Sequence, residues 1–307
     1  MINNKNATIG IILFGEHHII EQWQALTQGY DNFYVCRNTK DLSKFNANEN
    51  IVIYFNTNTR EAIKTALKIK FKGFKIIKFW TGTDVLNLNE LPTLKKALSI
   101  FFINKLIKLH LTNSTWLTDE LQELEIKSQH WISPTPLYFD AKNASADDLA
   151  SKEKIVLIYS NEGREWLYNS ELMLKVAKLT PQLKFIFVGN NALKTSHLTN
   201  TESLGVVTQE KMVELYKKSH ILLRITEHDG FPRMVIEALY FGLNVIFNKP
   251  VPHTILCAKN IDEIVAKLTS KQIETVNFSG RDYALKTYSA EQWISQIQEY
   301  STQLKEQ

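Results

Sequence analysis

The chain has 307 residues, a formal net charge of +4, 44% hydrophobic residues and 22% charged residues. This composition is typical of a globular protein and excludes fibrous and disordered classes, and the length predicts two domains. The two cysteines form neither a disulfide framework nor a metal-ligand spacing, which favours a reducing compartment. There is no signal-peptide pattern, and no apolar run approaches the ~20 residues of a membrane span. We therefore expect a cytoplasmic protein.

The charge is distributed unevenly. Ten lysines lie from Lys64 to Lys108, where only Asp84 and Glu90 oppose them. A basic face attracts anionic partners such as phospholipid headgroups, lipid pyrophosphates or nucleic acid. A solvated face that confers solubility explains the same pattern equally well.

The first half of the chain alternates short apolar runs with longer amphipathic segments. The pattern predicts strands over residues 8–14, 33–36, 51–55, 74–79, 111–112 and 130–132, and helices over residues 19–27, 59–70, 94–109 and 114–124. Ser114 is placed to cap the last of these helices. We expect an N-terminal domain over residues 1–140.

The composition changes over residues 141–154, which are rich in Ala, Ser, Asn, Lys and Asp, and we interpret them as a linker. A second alternating series follows. Its predicted strands cover residues 155–159, 183–188, 220–225 and 245–247, and its helices cover residues 171–179, 211–217, 231–241, 261–268 and 290–304. Residues 155–288 are therefore expected to form a second domain.

Strand–helix alternation in both halves predicts an α/β protein with two Rossmann-like, doubly wound domains. We expect the two domains to face each other across a cleft. Open α/β sheets bind ligands at the carboxyl ends of their strands. The residues that follow Phe14, Phe79, Tyr159, Val188 and Ile225 are therefore the first candidates for a site.

The segment over residues 222–245, LLRITEHDGFPRMVIEALYFGLNV, carries the clearest functional pattern. A buried strand leads into a polar loop and then a helix, with Pro232 at the first helical position and Gly242 just past the end. The helix N-terminus then faces the ligand edge of the sheet. Backbone N–H groups near Arg233 and Met234 can hold a diphosphate there.

Two acidic residues separated by seven, Asp229 and Glu237, flank this helix start, and Glu237 is followed by Ala238 and later by a Gly-x-x-Val-Ile run. The pattern resembles the donor-binding signature of family-4 glycosyltransferases, the group 1 type, which have the GT-B fold. The resemblance implies that Glu237 accepts hydrogen bonds from the donor ribose and that Asp229 faces the transferred sugar. It also assigns donor-binding roles to Gly230, Phe231, Pro232 and Arg233.

Weaker similarities extend over most of the chain. Residues 185–190 (FIFVGN) and 204–208 resemble the family's Val-Gly strand and its strand near the nucleobase, which adds Gly189, Asn190 and Val207 to the donor site. Residues 81–85 (TGTDV) resemble a family turn, which places Gly82, Thr83 and Asp84 on the acceptor side. The closing helix, within residues 289–307, resembles the tail that crosses back to the N-terminal domain.

The chain departs from the family where the donor diphosphate is usually neutralised. The family places an Arg after the first strand of the second domain and a Lys a few residues on, and needs no metal. Here that strand is followed by Ser160 and Asn161, and Asn169 stands at the expected Lys position. Arg164 is assigned a catalytic role beside Asp229, and the other candidates are Arg224 and Arg233.

Simpler interpretations stay open for several of these residues. Asp229 could serve only as a charge at a helix start, and Glu237 and Arg233, four apart, could form only a surface pair. Arg164 could be solvated. His17 follows the first strand and is an acceptor-side candidate, although loop histidines often have no role. No His/Cys cluster predicts a metal site, and no cofactor is expected besides the nucleotide-sugar substrate.

Together these patterns predict a metal-independent glycosyltransferase that moves a sugar from a nucleotide-diphosphate sugar to a saccharide or lipid-linked saccharide. Retention of configuration follows from the resemblance. Lipopolysaccharide or other cell-surface polysaccharide assembly fits, at the inner face of the membrane, with peripheral contact between anionic lipid and the lysine-rich region and no nucleic-acid partner. The alternatives are a non-catalytic GT-B partner or chaperone subunit of a transferase and a nucleotide-sugar epimerase.

Overall fold

The computed structural model describes residues 9–15, 18–56, 58–132, 152–195, 197–273 and 275–306. These residues fall into two compact units. The first comprises the described residues up to 132 together with a C-terminal helix, and the second comprises those from 152 to 289. Each unit contains one six-stranded sheet in which every adjacent pair of strands is parallel. The predicted α/β fold with doubly wound parallel sheets is confirmed.

The first sheet has the strand order β2-β1-β3-β4-β5-β6. Its strands are β1 (Gly10–Phe14), β2 (Phe33–Cys36), β3 (Asn50–Tyr54), β4 (Lys75–Trp80), β5 (Leu109–Thr112) and β6 (Ser128–His130). The inner strands β1 and β3 are buried along their whole length. Such continuous apolar runs are expected where helices cover both faces of a parallel sheet.

The described residues up to 132 form five helices, α1 (His18–Leu26), α2 (Thr59–Phe71), α3 (Thr83–Asn89), α4 (Thr93–Leu106) and α5 (Thr115–Glu123), and a 3-10 turn at Asp41–Lys44. The Ser114 Oγ accepts from the Leu117 N–H, which confirms the predicted cap. The helix predicted over residues 94–109 ends earlier, because Ile107 is extended and Leu109 pairs with Ile77 in the sheet.

The C-terminal helix α11 (Ala290–Glu306) packs into the core of the first unit. Its Trp293 ring stacks on Trp131 with 4.9 Å between centroids, and both contact Trp23. The Trp131 Nε1–H also donates to the Trp293 carbonyl at 3.1 Å. Residues close to the end of the chain therefore complete the hydrophobic core of the N-terminal sheet.

The second sheet has the strand order β12-β11-β10-β7-β8-β9. Its strands are β7 (Glu153–Tyr159), β8 (Lys184–Val188), β9 (Thr201–Ser203), β10 (Ser219–Arg224), β11 (Asn244–Phe247) and β12 (Ile255–Leu256). The strand predicted over residues 204–208 is wrong, because Gly205 turns the chain with a positive φ and Thr208 already caps the next helix. Residues 141–151 of the predicted linker lie outside the described residues, and residues 153 and 154 begin β7.

The helices of the second unit are α6 (Ser170–Leu179), α7 (Gln209–Lys218), α8 (Arg233–Tyr240), α9 (Ile261–Leu268) and α10 (Phe278–Thr287), with a 3-10 turn at Lys271–Ile273. The helix predicted over residues 231–241 is shorter, since Pro232 has an extended ψ of 126° and stands as the N-cap rather than as the first helical residue. Gly242 follows the helix with φ of 69°, which confirms the predicted left-handed end.

Candidate functional site

A cleft of about 390 Å³ opens at the carboxyl edge of the second sheet. The ends of β7, β8 and β10, the segment before α7 and the first turns of α7 and α8 form its walls. The lining residues are Tyr159, Asn161, Val188, Gly189, Val206, Val207, Gln209, Met212, Arg224, Pro232, Arg233, Met234 and Glu237. This edge is where open α/β sheets bind ligands, so the cleft is the candidate site.

Glu237 is a buried carboxylate on the wall of this cleft and is only 6% exposed. The Tyr216 hydroxyl donates to Glu237 Oε2 at 2.7 Å, and the Tyr216 ring stacks on Phe241 at an interplanar angle of 11°. Burial raises the pKa of Glu237, although the Tyr216 hydrogen bond and the nearby Arg233 and Arg224 work in the opposite direction. The surface-pair interpretation of Glu237 and Arg233 is therefore wrong.

Arg224 contributes a buried cation to the same cleft from the end of β10. Its Nε and one Nη donate to Asp229 Oδ2 at 2.8 and 2.6 Å. The guanidinium also lies 5.9 Å from the Tyr159 ring centroid and 5.4 Å from that of Tyr168. Burial is the largest single effect and works to lower the pKa of Arg224, but Asp229, Tyr168 and Tyr159 together outweigh it and the pKa is raised. The guanidinium thus keeps its charge next to the cleft.

The N-terminus of α8 meets the cleft through Pro232, Arg233 and Met234. The first N–H groups of a helix have no partner within the helix, and together with the helix dipole they favour an anion. Because Arg233 adds a side-chain cation at this point, the helix start and the end of β10 form one cationic wall. Oxygen-rich anionic groups are the ligands that such a wall suits.

The opposite wall comes from the ends of β8 and the segment that enters α7. Gly189 has φ of 94°, and a Cβ there would lie 2.4 Å from the Ser160 carbonyl oxygen and 2.5 Å from the Tyr159 ring. Only glycine lets β8 end so close to β7. Val206, Val207 and Met212 supply apolar surface beside it, suited to a flat, partly apolar group.

The sequence-predicted donor residues divide into two groups. Glu237, Pro232, Arg233, Gly189 and Val207 line the cleft. The others lie behind or beside its lining: these are Asn190, Gly230, Phe231, Asp229 and Arg164. Those in the second group support the cleft or are solvated.

Contacts show what the second group does. The Asn190 side-chain amide donates to Glu165 and to the Ser160 hydroxyl, so it ties the turn after β8 to the turn after β7. Phe231 is buried against Tyr288, with 5.3 Å between ring centroids. Arg164 is exposed on the turn after β7. Asn169, at the expected Lys position, donates to the Ile225 carbonyl at 3.2 Å.

The acceptor-side candidates belong to the first unit. Asp84 is buried, and its Oδ2 accepts from Lys78 at 2.9 Å. Its Oδ1 accepts from the backbone N–H groups of Thr81, Gly82 and Val85. Asp84 therefore fixes the turn at the start of α3 and neutralises Lys78.

Two further predictions concern the same unit. The basic face expected from Lys64 to Lys108 is wrong for Lys78, because this residue is buried beside Asp84 and the Trp80 ring. His17 lies outside the described residues. Gly82 is the N-cap of α3, and Thr83 is its first residue. Within the described ranges, no group of three or more His, Cys, Asp or Glu residues has a metal-site arrangement.

Residues 140–267 match the family described as glycosyl transferases group 1. The match covers 128 of the 307 residues, so it shows similarity to this family over less than half of the chain. The matched segment includes the cleft residues from Tyr159 to Glu237, and the resemblance predicted from the sequence is confirmed. No curated protein matches the chain by sequence.

Solved structures resemble this chain over most of its length. Anabaena Alr3699/HepE in complex with UDP and glucose has a TM-score of 0.70 at 13% identity, over 96% of this chain and 100% of that one. The lipopolysaccharide outer core galactosyltransferase WaaB, in its apo form, has a TM-score of 0.65 at 12% identity, over 96% and 100%. The pneumococcal O-GlcNAc transferase GtfA in complex with UDP and GlcNAc has 0.62 at 12%, over 87% and 58%. These likenesses show the GT-B fold.

The sequence interpretation did not identify three residues at this site: Gln209 and Met212, which line the cleft, and Tyr216, which contacts Glu237 from outside the lining. Tyr216 and Met212 project from α7, whose pattern predicts an ordinary amphipathic helix. The helical spacing of Tyr216 predicts a core residue, and its ring is buried in the structure. Only the contact of its hydroxyl with Glu237, 21 residues later in the chain, reveals a second role.

Proposed function

We propose that the cleft binds a nucleotide-diphosphate sugar and that the protein transfers the sugar to a saccharide or lipid-linked saccharide. The observation that carries this proposal is the placement of one buried carboxylate, Glu237, and two cations, Arg224 and Arg233, around one cleft. A nucleoside diphosphate needs an acceptor for its ribose hydroxyls and donors for its phosphates. Because HepE and GtfA were solved with UDP, UDP is the first nucleotide to test.

Glu237 is assigned to the ribose. Tyr216 occupies one carboxylate oxygen, Oε2, and fixes the orientation of the group. The second oxygen, Oε1, is then available to accept from ribose hydroxyls. Hydrogen bonds to charged groups contribute about 1.5–3 kcal/mol each, so this contact is a large part of the expected affinity. Tyr216 acts as a positioning residue.

The diphosphate is assigned to the cationic wall rather than to Arg164. Arg224 and Arg233 line the cleft, whereas Arg164 is solvated outside the lining. The two cations and the backbone amides at the α8 start replace the Arg and Lys that the family usually provides. Asp229 holds the guanidinium of Arg224 in place through two hydrogen bonds from that group.

These groups would act when the bond from the anomeric carbon to the donor phosphate oxygen breaks. The diphosphate leaves with the electron pair, the acceptor hydroxyl oxygen bonds to the anomeric carbon, and the leaving diphosphate oxygen takes the hydroxyl proton. Donors placed where negative charge develops stabilise this step, and Arg224, Arg233 and the α8 amides hold that position. The family resemblance further supports retention of configuration and no requirement for a metal ion, and the anomeric signal of the product and EDTA treatment test these two points.

A thermal-unfolding panel tests the proposal. The wild type is heated with UDP, GDP, ADP, CMP and dTDP, each with and without magnesium. A ligand at about 100 times its dissociation constant adds about 2.7 kcal/mol to the stability of the folded state, which raises Tm visibly. We expect one nucleotide to raise Tm of the wild type clearly more than that of Glu237→Gln, with Glu210→Gln, at an exposed carboxylate at the start of α7, as the matched control.

The second candidate function is a non-catalytic partner of a transferase. The observation that favours it is Asn169, which stands where the family has its Lys and whose amide is already bonded to Ile225. A protein in which no nucleotide raises Tm, and which pulls down a separate transferase, would support this candidate and contradict the first.

A further inference from the structure

The outer face of α4 exposes large apolar side chains that a helix packed on a sheet normally buries. Leu94 is 74% exposed, Leu98 51%, Phe101 59% and Phe102 42%. Phe71, at the end of the neighbouring helix α2, is 87% exposed. Single exposed apolar residues are ordinary, but a cluster of leucine and phenylalanine on one surface marks a contact site.

The same two helices carry an excess of positive charge. Residues 59–72 and 93–108 contain nine lysines and arginines and one acidic residue, Glu61. Glu61 pairs with Lys64 at 2.8 Å. The exposed lysines of this region are Lys64, Lys68, Lys70, Lys72, Lys95, Lys105 and Lys108. The surface therefore combines apolar side chains with cations, with a single carboxylate among them.

The fold places these residues side by side. Helices α2 and α4 contact each other and precede β4 and β5, which pair in parallel, so the two helices run in the same direction. On its other flank, α4 borders a groove whose lining includes Phe101, Lys105, Glu123 and Glu125. The α2 side of the apolar cluster is thus cationic, and the groove side carries charges of both signs.

We propose that this α2–α4 surface docks on an anionic phospholipid bilayer. Leucine and phenylalanine enter the boundary between headgroups and acyl chains, and lysines pair with lipid phosphates, as interfacial helices do. Among the described residues no helix is long and apolar enough to cross a membrane. The positive charge favours an anionic bilayer over a second copy of the chain, because two such cationic surfaces repel each other.

Flotation with phospholipid vesicles tests the docking. The full chain is mixed with phosphatidylcholine vesicles with or without phosphatidylglycerol, at low and high salt. We expect binding only to the anionic vesicles, weaker at high salt. The apolar variant Leu98→Ser/Phe101→Ser and the charge variant Lys95→Gln/Lys105→Gln are each expected to bind at least about tenfold more weakly.

Matched controls come from the second unit. Phe278→Ser removes a phenylalanine of the same 59% exposure, and Lys175→Gln/Lys178→Gln removes two exposed lysines of α6. Both are expected to bind like the wild type. All variants should keep the wild-type Tm and nucleotide response, so that loss of docking is separated from loss of folding or of donor binding.

Three results would overturn the proposal. The first is no binding of the wild type to anionic vesicles at low salt. The second is a loss of vesicle binding in the controls equal to that in the surface variants. The third is vesicle binding that neither the apolar variant nor the charge variant weakens. A dimer in solution that the apolar variant converts to a monomer, without vesicle binding, would instead assign the surface to a second copy.

Discussion

Two buried carboxylates, one in each unit, lie near the carboxyl edge of their sheets and are used differently. Both oxygens of Asp84 accept from donors of the protein itself, three backbone N–H groups and Lys78. Glu237 accepts one side-chain hydrogen bond within the described residues, from Tyr216, and it lines a cleft. Burial alone therefore does not distinguish a structural carboxylate from a binding one.

The distinction lies in whether the protein's own donors saturate the group. A saturated buried carboxylate such as Asp84 stabilises the local turn. A carboxylate held by one oxygen beside an open cleft keeps acceptor capacity for a ligand. Asp229 is intermediate, because a single oxygen accepts two bonds from Arg224 and the residue lies behind the cleft lining.

The largest expected effect comes from breaking the buried ion pair between Lys78 and Asp84. Lys78→Met leaves Asp84 as a buried charge without its cation and should lower the free energy of unfolding of the first unit by about 3–5 kcal/mol. Urea denaturation followed by tryptophan fluorescence measures this change. Lys78→Met/Asp84→Asn should recover most of the loss, since it removes both charges and keeps an acceptor oxygen for the backbone N–H groups of the turn. Lys184→Met is the control, because its pair with Glu202 is exposed and contributes at most about 1 kcal/mol.

A change of less than about 1 kcal/mol in Lys78→Met would mean that Asp84 is already compensated by its backbone donors. The contrast between the two carboxylates would then be much smaller than proposed.

The next effect concerns the cationic wall of the cleft. Arg233→Ala should weaken nucleoside diphosphate binding by about 1.5–3 kcal/mol, which is about 10- to 150-fold, because a charge-assisted hydrogen bond is lost. The affinity for the nucleoside without phosphates should stay unchanged. Calorimetric titration measures both, and Lys211→Ala, at an exposed site on the neighbouring helix α7, is the control. Equal weakening of nucleoside and nucleoside diphosphate would argue against a phosphate contact.

A smaller effect is expected at the positioning residue. Tyr216→Phe keeps the ring on Phe241 but removes the hydrogen bond that favours the ionised form of Glu237. The pKa of Glu237 should rise further, and nucleotide affinity near neutral pH should fall by about 1 kcal/mol, roughly fivefold. Because binding requires the ionised carboxylate, affinity should be lost on acidification at a higher pH in Tyr216→Phe than in the wild type. A pH profile identical to that of the wild type would reduce Tyr216 to a packing role.

The smallest effect is on the unliganded protein. Burial raises the pKa of Glu237 above its ordinary 4.5, so the folded state holds this proton more tightly than the unfolded state. Stability from this group is therefore fully present below pH 4.5 and is lost as pH rises through the folded-state pKa. Melting curves across this range should show the loss in the wild type and not in Glu237→Gln. Parallel pH dependence in both proteins would contradict the raised pKa.

The fold could be predicted from the sequence where long apolar runs alternate with amphipathic helices. Helix α9, for example, has the predicted bounds of residues 261–268. Short elements were missed. Helix α3 has only seven residues, which are too few to show a helical repeat of apolar positions after the turn that precedes it. The strand expected over residues 204–208 failed because a glycine turn, Gly205, stands within it.

The donor signature located the cleft but did not identify all the residues that form it. Local spacing predicts which residues follow a strand or begin a helix, so Arg233 and Glu237 could be found. It cannot predict contacts between elements that are distant in the chain, such as Tyr216 with Glu237. Nor does it show that Arg164 stays in solvent whereas Arg224, five residues before Asp229, lines the cleft.

The claim that Glu237 binds the ribose hydroxyls is tested most directly with nucleotide analogues. The nucleoside diphosphate that raises Tm most is compared with its 2′,3′-dideoxy analogue by calorimetric titration against the wild type and Glu237→Gln. Loss of a hydrogen bond to a charged group should cost the wild type about 1.5–3 kcal/mol, so it should prefer the ribose form by about tenfold or more. In Glu237→Gln the preference should nearly disappear. An equal preference in both proteins would contradict the assignment of Glu237 to the ribose.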